Sequence, residues 1–237
     1  MVSASYLAKE LGLGQKKATS YLQQSKSLRK AIDQYFHAHI HGFDTYQYYE
    51  GNDKLRSWIC MPLVAGINER AKGTIEALFS SRLWTDNGLL TQEGDKTFWD
   101  RSTLYALRGT LMAGETEQAL NFLTKYSHTR LLGEHVPYAI EAWPEGSQRH
   151  LAAESSLYAR IYTEGLFGIR PTGLKSFTVS ARLPESWNQM ELKNICICNS
   201  KFDLKVFRQS GKVKVQLIRN GKATAAKTAS APVLFKL

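Results

Sequence analysis

Leu166-Phe167-Gly168-Ile169-Arg170-Pro171-Thr172-Gly173 is the stretch at which the hydrophobic spacing of this sequence changes. Upstream of it the period is helical. From Gln15 to about His37, Ala18, Tyr21, Leu22, Leu28, Ala31, Ile32 and Tyr35/Phe36 recur at spacings of three and four, which places one apolar stripe on an otherwise polar helix. The same spacing predicts helices over about 3–11, 58–66, 70–79, 98–112, 116–126 and 151–167, with Gly12, Gly14, Gly66, Gly114 and Gly168 at their expected stops. Gly114-Glu115-Thr116 predicts a tight turn between two consecutive helices. Downstream the period is two: Phe177 and Val179, then Met190 to Ile197, then Phe202, Leu204 and Val206, then Val213, Val215 and Leu217 alternate with polar partners, as half-buried strands do. Asn220-Gly221 is the signal of a two-residue hairpin turn. The expected order is therefore helical hairpins over 1–170 followed by a small antiparallel β-sandwich-like domain over 171–237.

Charge divides at the same place. Residues 1–170 hold 19 Lys+Arg against 18 Asp+Glu, and residues 171–237 hold 12 against 3, so a formal +10 over 237 residues belongs almost wholly to the tail. With 43% hydrophobic residues the chain buries enough surface to fold, and three cysteines cannot staple this length, which excludes a disordered tail and a disulfide scaffold. Cys196 and Cys198 in Ile195-Cys196-Ile197-Cys198 share one face of an expected strand, a spacing that suits packing rather than metal. Apolar runs of membrane-spanning length are absent, and the first 25 residues, with Lys9, Glu10, Lys16 and Lys17, carry no signal-peptide block.

Three inter-helix segments are richer in aromatic, acidic and glycine residues than a connector needs: 41–51, 83–101 and 133–146. Flat rings beside carboxylates suit a sugar, whose C–H faces stack on aromatics while guanidinium and carboxylate groups take its hydroxyls. The alternative for any one of Tyr46, Tyr48, Tyr49, Trp84, Trp99 or Trp143 is packing in the core or at its rim.

The succession Leu83-Trp84-Thr85, Phe98-Trp99-Asp100-Arg101-Ser102, Gly109 with Ala113-Gly114, Glu141-Ala142-Trp143-Pro144, and Glu164-Gly165-Leu166-Phe167-Gly168-Ile169 before Pro171 resembles the later part of the six-hairpin glycosidases, the superfamily of trehalases, processing α-glucosidases, glucoamylases and α-L-rhamnosidases. The resemblance covers about residues 1–185. It implies a mainly α fold, a partial (α/α)6 toroid of helical hairpins, with the β domain attached. It also implies an inverting glycoside hydrolase acting on oligosaccharides or glycan side chains, in which two carboxyl groups roughly 6.5–9.5 Å apart flank the scissile bond. On that analogy Glu141 is the water-activating base, Trp99 covers the sugar, Asp100 and Arg101 hold hydroxyls, Glu134 faces the sugar, and Tyr138, Trp143 and Arg149 line the rim. Asp100 has a structural reading too, as the first residue of a helix, and Glu141 as a surface carboxylate paired with Arg149.

None of the acids Glu50, Asp53, Asp100, Glu134, Glu145 and Glu154 follows the expected general-acid motif, so the acid is expected upstream of Met1. Twelve helices of about 11–12 residues with their loops need more than about 200 residues, so on this resemblance the chain is expected to be a C-terminal fragment with little or no catalysis alone. The truncated faces, or the missing N-terminal half, are its expected partners, beside an oligosaccharide or glycan substrate. Cellular location stays open; related full-length bacterial enzymes are often periplasmic or secreted. No cofactor is implied. His37-x-His39-x-His41 has metal-ligand spacing, but on a continued helix the rings fall on different faces and no acidic partner follows at metal spacing. No nucleic-acid role is expected, because the tail's lysines are spread along alternating strands, where they also protect sheet edges. Two other readings remain: a non-catalytic carbohydrate-binding or scaffold protein, and a basic nucleic-acid binder.

Overall fold

The computed structural model describes residues 1–131, 142–143, 152–197 and 199–237. Helices α1 (Val2–Glu10) and α2 (Gln15–Phe36) lead into a hairpin of β1 (His37–Ile40) and β2 (Phe43–Tyr46). A 3-10 turn, Ser57–Cys60, precedes α3 (Met61–Val64) and α4 (Ala71–Leu78). The two-residue strands β3 (Trp84–Thr85), β4 (Gly88–Leu89) and β5 (Phe98–Trp99) come before α5 (Asp100–Ala113) and α6 (Thr116–Tyr126). Next are β6 (Ala142–Trp143) and α7 (Ala152–Arg160), which runs on as a π-helical turn over Ile161–Leu166. The remaining strands are β7 (Ile169–Gly173), β8 (Ser176–Val179), β9 (Gln189–Ile197), β10 (Ser200–Gln209), β11 (Lys212–Arg219), β12 (Lys222–Ala223), β13 (Lys227–Thr228) and β14 (Val233–Lys236).

The expected mainly α, partial (α/α)6 fold is corrected by this content. Of the described residues 42% are helical and 29% lie in strands, and the strands form several antiparallel sheets. The physical reason lies in the segments between helices. Where helical hairpins would need short polar connectors, β1–β2, β3–β4 and β5–β6 are antiparallel ribbons. Ribbons of two to four residues are too short to show a period of two, so their aromatic content reads as loop decoration. Among the described residues no helix is long and apolar enough to cross a membrane.

The chain divides into two compact units, Arg29–Gly165 and Met1–Leu28 with Leu166–Leu237. The first is built around Leu55, Leu63, Ile67, Leu78, Leu83 and Leu89, each at most 2% exposed. Its α5 is tied to the helices beside it by charge as well as by packing. Arg101 and Arg108, two turns apart and so on one side of α5, pair with Glu154 and Glu164. The second unit holds a three-stranded sheet of order β14-β8-β7 and a larger one in which β12, β11, β10 and β9 are neighbours. Phe177 of β8 joins them, stacking 5.3 Å from Phe202 of β10 and, within its own sheet, 5.6 Å from Phe235. Along β10 the buried residues are Phe202, Leu204 and Val206, the alternation read from the sequence. At the β11–β12 turn Asn220 and Gly221 both have positive φ, 49° and 73°, which matches the right-handed twist of the flanking strands.

Candidate functional site

The short strand β5 carries the first of the two segments expected to line a sugar site, and it pairs with β6, which carries the second. The register is Phe98 to Trp143 and Trp99 to Ala142. Two stretches more than forty residues apart in sequence are thus backbone neighbours. Glu141 immediately precedes this ribbon in the chain, but Glu134, Tyr138, Glu141 and Arg149 lie outside the described residues, as does the side chain of Trp143.

Trp99 is half-buried and extended, at φ −121° and ψ 118°, and caps α5. Its carbonyl accepts from the hydroxyls of Ser102 and Thr103 at 3.0 and 3.1 Å, so the first turn of α5 fixes the backbone of the ribbon. Its ring meets the edge of Trp58 at 6.0 Å and 84°, and Trp58 in turn lies 6.3 Å from Tyr105. Trp58 is the aromatic that the sequence reading missed. It sits in the 3-10 turn Ser57–Cys60, where Trp58-Ile59-Cys60 looks like ordinary helix core.

Asp100 opens α5 and is only 1% exposed. The Arg130 guanidinium donates to both its carboxylate oxygens at 3.3 Å. The buried Tyr126 hydroxyl is held far above its usual titration range by burial first, and then by the negative charge of Asp100. Arg101, with 35% of its side chain exposed, donates through Nε to Glu154 Oε1 at 2.6 Å. Glu154 has no exposed surface, and among the described residues its Oε2 has no hydrogen-bond partner. Farther along α5, Arg108 and Arg160 share Glu164, and this hydrogen bond raises the Arg160 pKa further.

Two concave surfaces lie in the same unit. A groove of about 490 Å³ is lined by Ile32, Phe36, Gln47, Tyr48, Trp58 and Met61 among others, mostly apolar and aromatic. A second cleft, about 500 Å³, is lined mostly by polar and charged residues, among them His41, Asp53, Arg82, Glu93 and Asp95. Burial pushes the Glu93 carboxyl up, but donors from His41, the Leu55 amide and Arg82 outweigh it, and the net pKa lies below 4.5.

The fold and this arrangement define a mixed α/β chain whose helical unit presents an aromatic ribbon beside buried guanidinium–carboxylate pairs. Among solved structures, one titled a sialidase is similar over 94% of this chain with a TM-score of 0.68 and 14% sequence identity. The present chain spans about a quarter of that protein's length, 24%. At this identity the likeness is one of fold. No protein-family model and no curated protein matches the sequence.

Proposed function

We propose that this chain is part of a glycoside hydrolase whose sugar site is built around residues 98–101 and 141–143. The carrying observation is the β5–β6 pairing, which sets the segment assigned to cover the sugar beside the segment assigned to supply the base. The likeness to part of a sialidase, itself a glycoside hydrolase, supports the same class. In this reading Glu141 activates water in an inverting displacement, with the second carboxyl roughly 6.5–9.5 Å away. Trp99 covers the C–H face of the sugar and the exposed part of Arg101 takes a hydroxyl. Glu134 faces the sugar, and Tyr138, Trp143 and Arg149 form the rim. Asp100, clamped by Arg130, holds the start of α5 and so positions Trp99 and Arg101. In the full-length protein carrying this segment, Glu141→Gln is expected to abolish hydrolysis and leave oligosaccharide binding intact; unchanged turnover overturns the assignment.

A second reading, carbohydrate binding without cleavage, is favoured by the apolar groove, whose lining among the described residues includes Phe36, Tyr48 and Trp58 but no carboxylate. It predicts oligosaccharide binding that Trp58→Ala removes and Trp99→Ala spares, with no hydrolysis at any pH.

A further inference from the structure

The triplet His37-x-His39-x-His41 does not continue α2. His37–Ile40 is strand β1, and β2 folds back on it with His37 opposite Tyr46 and His39 opposite Asp44. In a strand, residues two apart share a face, so the spacing that would scatter imidazoles around a helix brings His37 and His39 together. Their rings are 5.1 Å apart. The acidic partner that the linear sequence lacks is supplied across the hairpin: Asp44 Oδ1 lies 2.9 Å from His37 Nε2 and 4.0 Å from His39 Nε2. One ligand atom from each of the three residues falls within 4.8 Å of the others. His41, at the turn, is engaged elsewhere, with Nε2 2.7 Å from Glu93.

We propose that His37, His39 and Asp44 bind a first-row divalent transition-metal ion, zinc being the best match to two imidazoles and one carboxylate. Such a set satisfies three tetrahedral positions and leaves the fourth to water. The hairpin is held from behind. Arg70 donates to Asp44 Oδ1 at 2.7 Å and also contacts Asp33 at 3.2 Å. Arg70 shares the Asp44 oxygen that faces the two imidazoles, and its guanidinium charge weakens binding relative to a neutral surround. His39, with 68% of its side chain exposed, is free to swing onto the ion; His37 and Asp44 are more constrained.

The test is calorimetric titration of zinc chloride into the metal-free chain, together with the cobalt(II) absorption spectrum. Expected is one ion per chain, with affinity lowered about tenfold or more by His39→Ala and by Asp44→Asn. His128→Ala, which alters an exposed histidine outside the set, is expected to leave it unchanged. His39→Ala removes an exposed ring and keeps the test valid if Asp44→Asn misfolds. Absence of saturable binding, or affinity unmoved by both ligand variants, overturns the proposal.

Discussion

Glu154 is a carboxylate with no exposed surface that depends on Arg101 for the hydrogen bond it accepts at 2.6 Å. Breaking a buried pair from one side leaves an uncompensated charge, which costs more than the intact pair contributes. Arg101→Ala is therefore expected to lower stability by about 3 kcal/mol, at the low end because the arginine is itself partly solvated, while Glu154→Gln costs less. Denaturant unfolding of the two variants checks the order. Cys60 makes a second residue-level prediction. Burial drives its thiol up to about 12, with Arg108 opposing only weakly, so almost no thiolate forms at neutral pH. Iodoacetamide is expected to label Cys196, which is exposed, in the native protein and Cys60 only after unfolding; peptide mapping distinguishes them. The sequence expectation that Cys196 faces the packing side is corrected here: β9 carries it outward.

At the scale of elements, α4 lies directly on the hairpin that holds the proposed metal site. A Cβ at Gly73 would stand 2.2 Å from the Asp44 carbonyl oxygen, which is backbone and cannot step aside. In a free helix Gly→Ala gains about 1 kcal/mol, yet Gly73→Ala is expected to cost about 1–3 kcal/mol by forcing α4 off β2. Thermal unfolding gives the sign. Glu93 links three separate segments through His41, Leu55 and Arg82. Its folded pKa lies below the model-compound 4.5, so its contribution to stability is present above the unfolded pKa and is lost as pH falls through the folded value. Glu93→Gln is expected to lower the unfolding temperature at pH 7, with the gap to wild type narrowing once pH falls below the ordinary carboxylate range and closing as pH drops through the lowered folded value. The longer helices α2, α5 and α6 were legible in the sequence because each shows several turns of period. The ribbons were not, since β3 to β6 have two residues each and are defined by partners distant in the chain.

On the scale of the whole molecule, the unit containing the C-terminal sheets also includes the first 28 residues. Ser5 and Ala8 of α1 are buried, and Glu10 Oε1 approaches the position a Cβ would take on Gly173 in β7. Deleting residues 1–14 is expected to speed amide hydrogen exchange in β7 and β8 and to lower the unfolding temperature of this unit. Charge sharpens with that assignment. Met1–Leu28 with Leu166–Leu237 holds 17 Lys+Arg against 4 Asp+Glu, whereas Arg29–Gly165 holds 14 against 17.

The candidate site was legible only in part. Phe98-Trp99 and Ala142-Trp143 stood out by composition, and the ribbon brings their backbones together; Trp58 did not stand out, because nothing local separates a ring beside a groove from one in a core. The sequence alone determined the long helices α2, α5 and α6, the β11–β12 turn and the alternation of β10, because propensity, turn chemistry and hydrophobic period act over a few neighbouring residues. The tertiary structure decided that His37 and His39 share a face with Asp44, that the loops are ribbons, and that α1 belongs with the β sheets. Those outcomes depend on backbone pairing and burial between segments far apart in the chain, which a linear spacing does not encode.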